Sequence, residues 1–285
     1  MAIMTTNFYS YCLNRTVAVE VVLPTDKVSF PDGRPMAKGP FKTMYLLHGL
    51  HGNYTDWITQ TRVIRWATQH DLALVMPSGD NRFYVDSTLS GERYGTFITR
   101  ELVDFTRATF DLSHRREDTY LAGLSMGGFG AIVNGLAHPE TFGAVAAMSS
   151  ALERDAIASA TDEPSPLGFT RESWRCVLGM DPADYPGSPI DYERIARELA
   201  AADGPKPCIW MGCGCDDHLF GCNVAYRDLL RDLGLDVTWF EAEGHAHHWE
   251  FWNLAIRKVI DWLDLGQATQ GVDSGAITGS SEGVL

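Results

Sequence analysis

Apolar runs alternate with amphipathic stretches along most of the chain. Short apolar runs of strand length occupy residues 17–23, 43–47, 72–76, 119–122, 144–148, 208–211 and 237–241. Between them, apolar residues recur at helical spacing over residues 56–69, 96–109, 125–137, 223–233 and 248–263. This alternation predicts an α/β fold in which helices cover both faces of a mostly parallel central sheet.

The alternation breaks over residues 153–206, which are rich in proline and glycine but carry amphipathic pieces around 170–178 and 192–200. We interpret this stretch as a small cap-like insertion in a single domain that spans residues 1–266, although a plain surface excursion fits equally well. Residues 267–285 are rich in glycine, serine and threonine. They predict a flexible C-terminal tail.

Composition and charge narrow the class of protein. Hydrophobic residues make up 45% and charged residues 21% of the chain, as in a globular protein with a sizeable core. The net charge of −14, with no run of lysine or arginine, argues against binding to nucleic acid or to an anionic membrane. The N-terminus does not resemble a secretory signal, and no apolar run is as long as a membrane span. The six cysteines do not follow the disulfide framework of a small secreted protein. We therefore expect a cytoplasmic protein. The sequence is compatible with a monomer or a homo-oligomer.

A candidate nucleophile lies in the G-x-S-x-G stretch from Gly123 to Gly127. An apolar strand precedes this stretch and a helix follows it, which is the setting of a nucleophile elbow. The sharp turn needs small residues on both sides of Ser125, and the two glycines provide them. The sequence therefore predicts Ser125 as nucleophile and the Met126 amide, at a helix N-terminus, as an oxyanion donor.

A serine nucleophile needs a base and an acid that orients the base. In a sheet of this kind the acid follows a late strand and the histidine follows the last one. The loop after residues 208–211 carries Asp216 and Asp217, and the loop after residues 237–241 carries His245, His247 and His248. Position alone leaves both aspartates and all three histidines open, and either aspartate also suits a helix N-cap.

The second oxyanion donor is expected from the loop after residues 43–47, where glycines let the backbone approach a substrate. The Leu50 amide is our candidate there, and we interpret His48 as a structural brace of the loop. A metal was weighed for the cysteines at 213, 215 and 222 and for the histidine cluster. The cysteine spacing departs from that of zinc pairs, and a general base suits the histidines better, so we predict no metal and no cofactor.

Together these residues resemble the esterase D branch of the α/β-hydrolases, which includes S-formylglutathione hydrolases, tributyrin and acetyl esterases, feruloyl esterases and mycolyltransferases. The resemblance covers nearly the whole chain. Within this branch, the chain most resembles the intracellular tributyrin or acetyl esterases. Its most specific points are Leu46-Leu47-His48-Gly49 with Asp56-Trp57, Gly123-Leu124-Ser125-Met126-Gly127-Gly128, Asp217 ahead of Leu219, and His247-x-Trp249-Glu250-Phe251-Trp252.

The resemblance implies an α/β-hydrolase fold and ranks the open candidates. The family base stands two residues before a W-E-F-W run, which places it at His247. The family acid precedes an x-Leu pair, which Asp217 fits and Asp216 does not. The chain departs from the compact G-H-D-W of the family, because two more residues separate Gly244 from Trp249.

We therefore expect a serine carboxylesterase that hydrolyses short-chain acyl esters, its small-molecule substrates, through an acyl-enzyme. Aromatic residues near the predicted mouth favour a feruloyl or acetyl-carbohydrate esterase as an alternative; they are Trp57, Phe83, Tyr84, Trp174 and Trp249. An S-formylglutathione hydrolase is less favoured, because that group differs around the oxyanion loop and the histidine. From another class, a catalytically silent binding protein on the same fold is the remaining alternative.

Overall fold

The computed structural model describes residues 1–28, 37–266, 269, 271–273 and 276–278. Eight strands form one sheet in the order β1-β2-β4-β3-β5-β6-β7-β8. The strands are β1 (Ala2–Ser10), β2 (Arg15–Leu23), β3 (Thr43–Leu47), β4 (Ala73–Pro77), β5 (Thr119–Leu124), β6 (Ala144–Met148), β7 (Cys208–Gly214) and β8 (Val237–Ala242). The six strands from β4 to β8 in this order are parallel, and β2 is antiparallel to both β4 and β1. The mostly parallel sheet is thus confirmed.

Helices occupy the connections between the strands. They are α1 (Asp56–Gln60), α2 (Val63–Gln69), α3 (Tyr94–Thr96), a π-helical turn (Phe97–Glu101), α4 (Leu102–Thr109), α5 (Met126–Ala137), α6 (Arg154–Ala158), α7 (Arg171–Leu178), α8 (Tyr192–Ala201), α9 (Phe220–Asp232) and α10 (Trp249–Trp262). Short 3₁₀ turns lie at Arg116–Asp118 and Pro182–Asp184. Within the described ranges, no helix has the length and apolar character needed to cross a membrane.

The core is divided between the two faces of the sheet. Alternate residues of a strand point to opposite faces, so Val145 and Ala147 of β6 join one buried cluster and Ala146 and Met148 join the other. Helices α4, α5, α8 and α9 contribute to the first cluster, and α1, α2 and α10 contribute to the second. The fold is therefore a three-layer α/β/α arrangement, as the apolar pattern predicts.

The structure corrects the predicted elements in two places. Strand β1 is absent from the sequence prediction, because it lies at the sheet edge and its middle, Thr5 to Asn7, is polar. The helix predicted over 56–69 is interrupted at Thr61, whose extended backbone ends α1 and whose hydroxyl accepts a hydrogen bond from the Val63 N–H.

The predicted insertion connects β6 to β7 and contains α6, α7 and α8. Asp191 holds it together: its buried carboxylate accepts hydrogen bonds from the Arg154 guanidinium at 3.0 Å and from the Gly187 and Glu193 amides. The Tyr192 hydroxyl donates to the Leu152 carbonyl at 2.8 Å. The insertion is therefore tied to the loop that follows β6.

Most of the predicted tail lies outside the described residues. Within it, Gly271–Asp273 and Ala276–Thr278 form a two-stranded antiparallel hairpin. The buried Lys27 ammonium contacts the Asp71 carboxylate at 2.5 Å and donates to the Thr269 carbonyl at 2.9 Å. Thr269, within the predicted tail, is therefore attached to the body of the domain.

Candidate active site

The candidate nucleophile occupies a strained turn between β5 and α5. Ser125 has φ +51° and ψ −116°, a conformation that costs an L-residue of this kind about 1–3 kcal/mol. A Cβ on Gly123 would collide with the Gly127 carbonyl, and a Cβ on Gly127 would lie 2.5 Å from the Leu47 carbonyl oxygen. The glycines of the G-x-S-x-G stretch are therefore required by close backbone contacts.

Three predicted site residues are joined by hydrogen bonds. The His247 Nε2 atom lies 3.0 Å from the Ser125 Oγ, and its Nδ1 atom lies 2.9 Å from an Asp217 carboxylate oxygen. Because a carboxylate only accepts, Nδ1 carries the ring proton and Nε2 is free to accept the serine proton. Ser125 and Asp217 are 7% and 4% exposed, so both ends of this chain of hydrogen bonds are buried.

Asp217 is held in its charged form. Burial alone would raise the pKa of its carboxyl group. Hydrogen bonds from His247, the Leu219 N–H and Ser149 outweigh that effect, so the pKa lies below its ordinary value. Ser149 is fully buried after β6, and no sequence signal distinguished it as a partner of the acid.

The other candidate acid and bases point elsewhere. Asp216 is exposed, and its N–H donates to the His245 carbonyl at 2.9 Å. The His245 ring bonds to the Glu243 carbonyl at 3.0 Å, and the His248 Nε2 accepts from the Ala246 N–H at 3.2 Å. The geometry thus brings His247 and Asp217, and not their neighbours, to Ser125.

The loop after β3 is fixed by a buried histidine. The His48 Nε2 accepts the Gly79 N–H at 2.8 Å, so its Nδ1 donates to the Gly49 carbonyl at 2.6 Å. Burial lowers the pKa of this ring and keeps it neutral. His48 therefore braces the loop, as the sequence suggested.

A second loop, over residues 78–84, supports the first one. The Asn81 side-chain oxygen Oδ1 accepts the His51 N–H at 2.7 Å, and the Tyr84 hydroxyl donates to the His48 backbone carbonyl at 3.0 Å. Both Asn81 and Tyr84 have positive φ. Sequence reasoning missed this supporting role of both residues, and the short polar run Ser78-Gly79-Asp80-Asn81 after β4 was the only signal of a turn there.

The two predicted oxyanion donors lie at the start of α5 and in the loop after β3. Met126 is the first residue of α5, where a backbone N–H has no acceptor within the helix. Leu50 is the second residue of a turn that closes from the Gly52 N–H to the Gly49 carbonyl at 3.3 Å. His51 holds the third position with φ +65°.

The aromatic residues predicted at the mouth are mostly in the core. Trp57, Phe83 and Tyr84 are at most 2% exposed, and the Trp57 ring donates to the Leu47 carbonyl at 3.1 Å. Trp174 is buried against Phe83, with ring centroids 4.8 Å apart. Trp249 alone of the five is half-buried. Packing therefore explains these side chains better than recognition of an aromatic substrate.

The side chains whose potential metal-ligand atoms converge are not the sets that were considered and rejected from the sequence. In the part of the chain that the structure describes, Asp217, His218 and His247 are the group whose donor atoms converge, all within 4.8 Å of one another. All six cysteines are free thiols. The predicted candidates at Cys213, Cys215 and Cys222 do not form such a group among the described residues.

Comparisons with known proteins identify the family of the chain. Residues 10–228 match the Esterase family model, described as "Putative esterase". The chain is 36% identical to an acetyl esterase of Caldicellulosiruptor saccharolyticus over 92% of this chain and 98% of that protein.

Two solved structures from Staphylococcus aureus are similar over 93% of this chain. The first is the fluorophosphonate-binding serine hydrolase FphF, with a TM-score of 0.81, 26% sequence identity and 98% of its chain covered. The second is the S-formylglutathione hydrolase FrmB, with a TM-score of 0.79, 26% sequence identity and 99% of its chain covered. The predicted α/β-hydrolase fold and carboxylesterase class are thereby confirmed. The chain belongs to the Esterase family, in the esterase D-like branch of the α/β-hydrolases.

Proposed function

We propose that this carboxylesterase hydrolyses short-chain acyl esters with Ser125 as nucleophile, His247 as general base and Asp217 as the orienting acid. The observation that carries the proposal is the continuous hydrogen-bonded chain from Ser125 through His247 to Asp217, with 3.0 Å and 2.9 Å links. Both distances are those expected for hydrogen bonds between a nucleophile and its base and between the base and its orienting acid.

In the first half-reaction, Ser125 Oγ attacks the ester carbonyl while His247 Nε2 accepts the serine proton. The imidazolium that forms is stabilised by the ionised Asp217 carboxylate, which the lowered pKa keeps charged at neutral pH. His247 then returns the proton to the leaving alkoxide, the C–O bond of the ester breaks, and the acyl group stays on Ser125. In the second half-reaction, His247 accepts a proton from a water molecule that attacks the acyl carbonyl. His247 then returns this proton to Ser125 Oγ as the bond between Oγ and the acyl carbon breaks, which releases the acid and restores the free serine.

The negative charge on the carbonyl oxygen is stabilised by the Met126 and Leu50 amides. The Met126 N–H belongs to the first turn of α5, where the helix dipole adds to the favourable field. Removing one such donor costs about 10²–10³ in kcat in serine hydrolases. The Gly49 to Gly52 turn, held by His48 and Asn81, is what fixes the Leu50 amide in place.

Short acyl chains are favoured by the 36% identity to an acetyl esterase. An S-formylglutathione hydrolase is the second candidate, because FrmB superimposes with a TM-score of 0.79. A feruloyl esterase has less support, because the aromatic side chains that motivated it are packed in the core.

The test compares wild type with Ser125→Ala, His247→Ala and the control His245→Ala on nitrophenyl acetate, butyrate and octanoate. We expect the first two variants to lose roughly 10⁴–10⁶ in kcat and their combination to lose little more, because the residues act as a unit. His245→Ala keeps its activity, and acetate or butyrate is preferred. An active His247→Ala variant would refute the assignment of the base.

Labelling with a fluorophosphonate separates a silent binding protein from an enzyme. A folded wild type that is labelled at Ser125 and turns over esters supports catalysis. A folded wild type that is not labelled supports the binding-protein alternative.

Location in the cytoplasm stays a proposal, and the six free thiols support it, since an oxidising compartment favours disulfides. A homo-oligomer also stays open. Sedimentation velocity on the purified protein decides the latter.

A further inference from the structure

A second histidine contacts the acid of the proposed triad. The His218 Nδ1 atom lies 3.4 Å from one oxygen of the Asp217 carboxylate, while the His247 Nδ1 atom lies 2.9 Å from the other oxygen. The two imidazole rings are 4.8 Å apart and inclined at 62°. Ester hydrolysis as described above gives His218 no role.

We infer that Asp217, His218 and His247 form an inhibitory site for a borderline-soft divalent cation such as Zn²⁺. The inference rests on the proposed function, because inhibition follows from His247 acting as the base. The cation is a regulator or poison of the site and not a cofactor of the reaction.

The donor set and its spacing suit zinc. Two imidazole nitrogens and a carboxylate oxygen are common zinc ligands, with bonds of about 2.0–2.2 Å that separate tetrahedral ligand atoms by about 3.3 Å. One Asp217 oxygen lies 2.9 Å from the His247 Nδ1 and the other oxygen lies 3.4 Å from the His218 Nδ1, and both distances are near that ligand separation. The two nitrogens are at most 4.8 Å apart, and the exposed His218 ring closes that gap by rotating.

The site is open to solvent on one side. The side chain of His218 is 56% exposed and that of His247 is 22% exposed, whereas the Asp217 side chain is fully buried. A cation can therefore enter past His218 and reach the Asp217 carboxylate. With three protein ligands, a fourth tetrahedral position is left for water.

Binding would inactivate the base through its tautomer. In the resting site the ring proton is on His247 Nδ1 and faces Asp217, so Nε2 accepts from Ser125. A cation bound at Nδ1 takes the lone pair there, and the single proton of the neutral ring moves through water to Nε2. A protonated Nε2 cannot accept the serine proton; trapping the catalytic histidine in the wrong tautomer costs about 10⁴ in kcat in a serine protease.

The test titrates ZnCl₂ against nitrophenyl acetate hydrolysis in a buffer that does not chelate zinc, for wild type, His218→Asn and the control His245→Asn. We expect zinc to abolish wild-type activity and EDTA to restore it. Each variant is compared with its own zinc-free rate. His218→Asn should raise the half-inhibiting zinc concentration at least about tenfold, the lower range for losing a group that supports a metal, and His245→Asn should not change it.

Calorimetry of ZnCl₂ with Ser125→Ala gives a second readout that needs no activity. One zinc bound per chain, with binding weakened in Ser125→Ala/His218→Asn, supports the site even if the proposed ester chemistry is wrong. A wild type that is active but insensitive to zinc overturns the site and leaves the proposed function standing. Equal zinc sensitivity of wild type and His218→Asn also overturns it.

Discussion

Asn81 shows how a residue outside the triad can control the reaction. Its side-chain oxygen accepts the His51 N–H at 2.7 Å, next to the amide that we propose as an oxyanion donor. The residue has φ +57°, so an alanine there would add strain of about 1–2 kcal/mol that has nothing to do with catalysis. Glycine removes the acceptor without that strain, and aspartate keeps an acceptor.

We therefore predict that Asn81→Gly lowers kcat on nitrophenyl acetate about five- to tenfold with little change in KM, as expected for loss of about 1 kcal/mol of hydrogen bonding. Asn81→Asp should keep most of kcat. Melting temperatures of both variants are measured beside the kinetics. An equal loss in the two variants would show that the hydrogen bond does not matter.

The lowered pKa of Asp217 has a consequence for stability. A carboxyl group whose folded pKa is depressed stabilises the native state above its unfolded pKa of about 3.9. That contribution is lost as the pH falls through the folded value. Asp217→Asn should therefore be less stable than wild type at pH 6, and the difference in unfolding free energy should shrink towards pH 3.

Urea unfolding of both proteins at pH values from 6 to 3 measures this difference. Asp216→Asn is the matched control, because Asp216 is exposed and adjacent in sequence. A gap between wild type and Asp217→Asn that is constant over this range would contradict the prediction.

The candidate site was largely predictable at the level of residue type and order, and less so at the level of contacts. Chain order and the flanking glycines pointed to Ser125, whereas His247 and Asp217 were ranked by family resemblance over neighbours of the same type. Ser149 and Asn81 were missed, because their roles depend on distances between loops that are far apart in sequence. No local pattern encodes such contacts.

At the scale of elements, predictability followed burial. Strands β3 to β7 are buried along most of their length and are continuous apolar runs, so they were found from the sequence. The edge strand β1 alternates between exposed and half-buried positions and contains polar residues. The π-helical turn Phe97–Glu101 inside a predicted helix has no hydrophobic signature that separates it from α-helix.

A buried carboxylate, that of Asp191, joins parts of the insertion between β6 and β7. Asp191 is 1% exposed and accepts from Arg154, Gly187 and Glu193. Asp191→Ala removes the ion pair and the cap of α8 and leaves the arginine without its partner. We predict that it lowers the free energy of unfolding by about 3 kcal/mol, in the range for breaking a buried pair.

Urea denaturation measures the effect, with Asp155→Ala as control. Asp155 is fully exposed and lies 3.9 Å from the same guanidinium, so its loss should lower the free energy of unfolding much less than the loss of Asp191 does. Equal effects of the two substitutions would mean that the buried pair contributes no more than a surface one.

At the scale of the whole molecule, charge bears on substrate choice. The net charge is −14, and exposed carboxylates of Asp216, Glu241 and Glu243 surround the loop that carries the proposed acid. These three carboxylates make the local field negative, and together with burial they raise the pKa of the Cys215 thiol, two residues before Asp217. Such a field repels an anionic ester and is indifferent to a neutral one.

Ionic strength should therefore change the ranking of substrates. Raising it from about 0.01 M to 0.15 M shortens the Debye length from about 30 Å to about 8 Å. We predict that kcat/KM for the anionic nitrophenyl hemisuccinate rises about threefold or more over this range, while that for neutral nitrophenyl acetate stays level. Steady-state rates at a fixed pH measure both. If kcat/KM for the two esters responded to salt in parallel, the salt effect would come from the protein's stability or dynamics. The acidic surface would then not discriminate against anionic substrates.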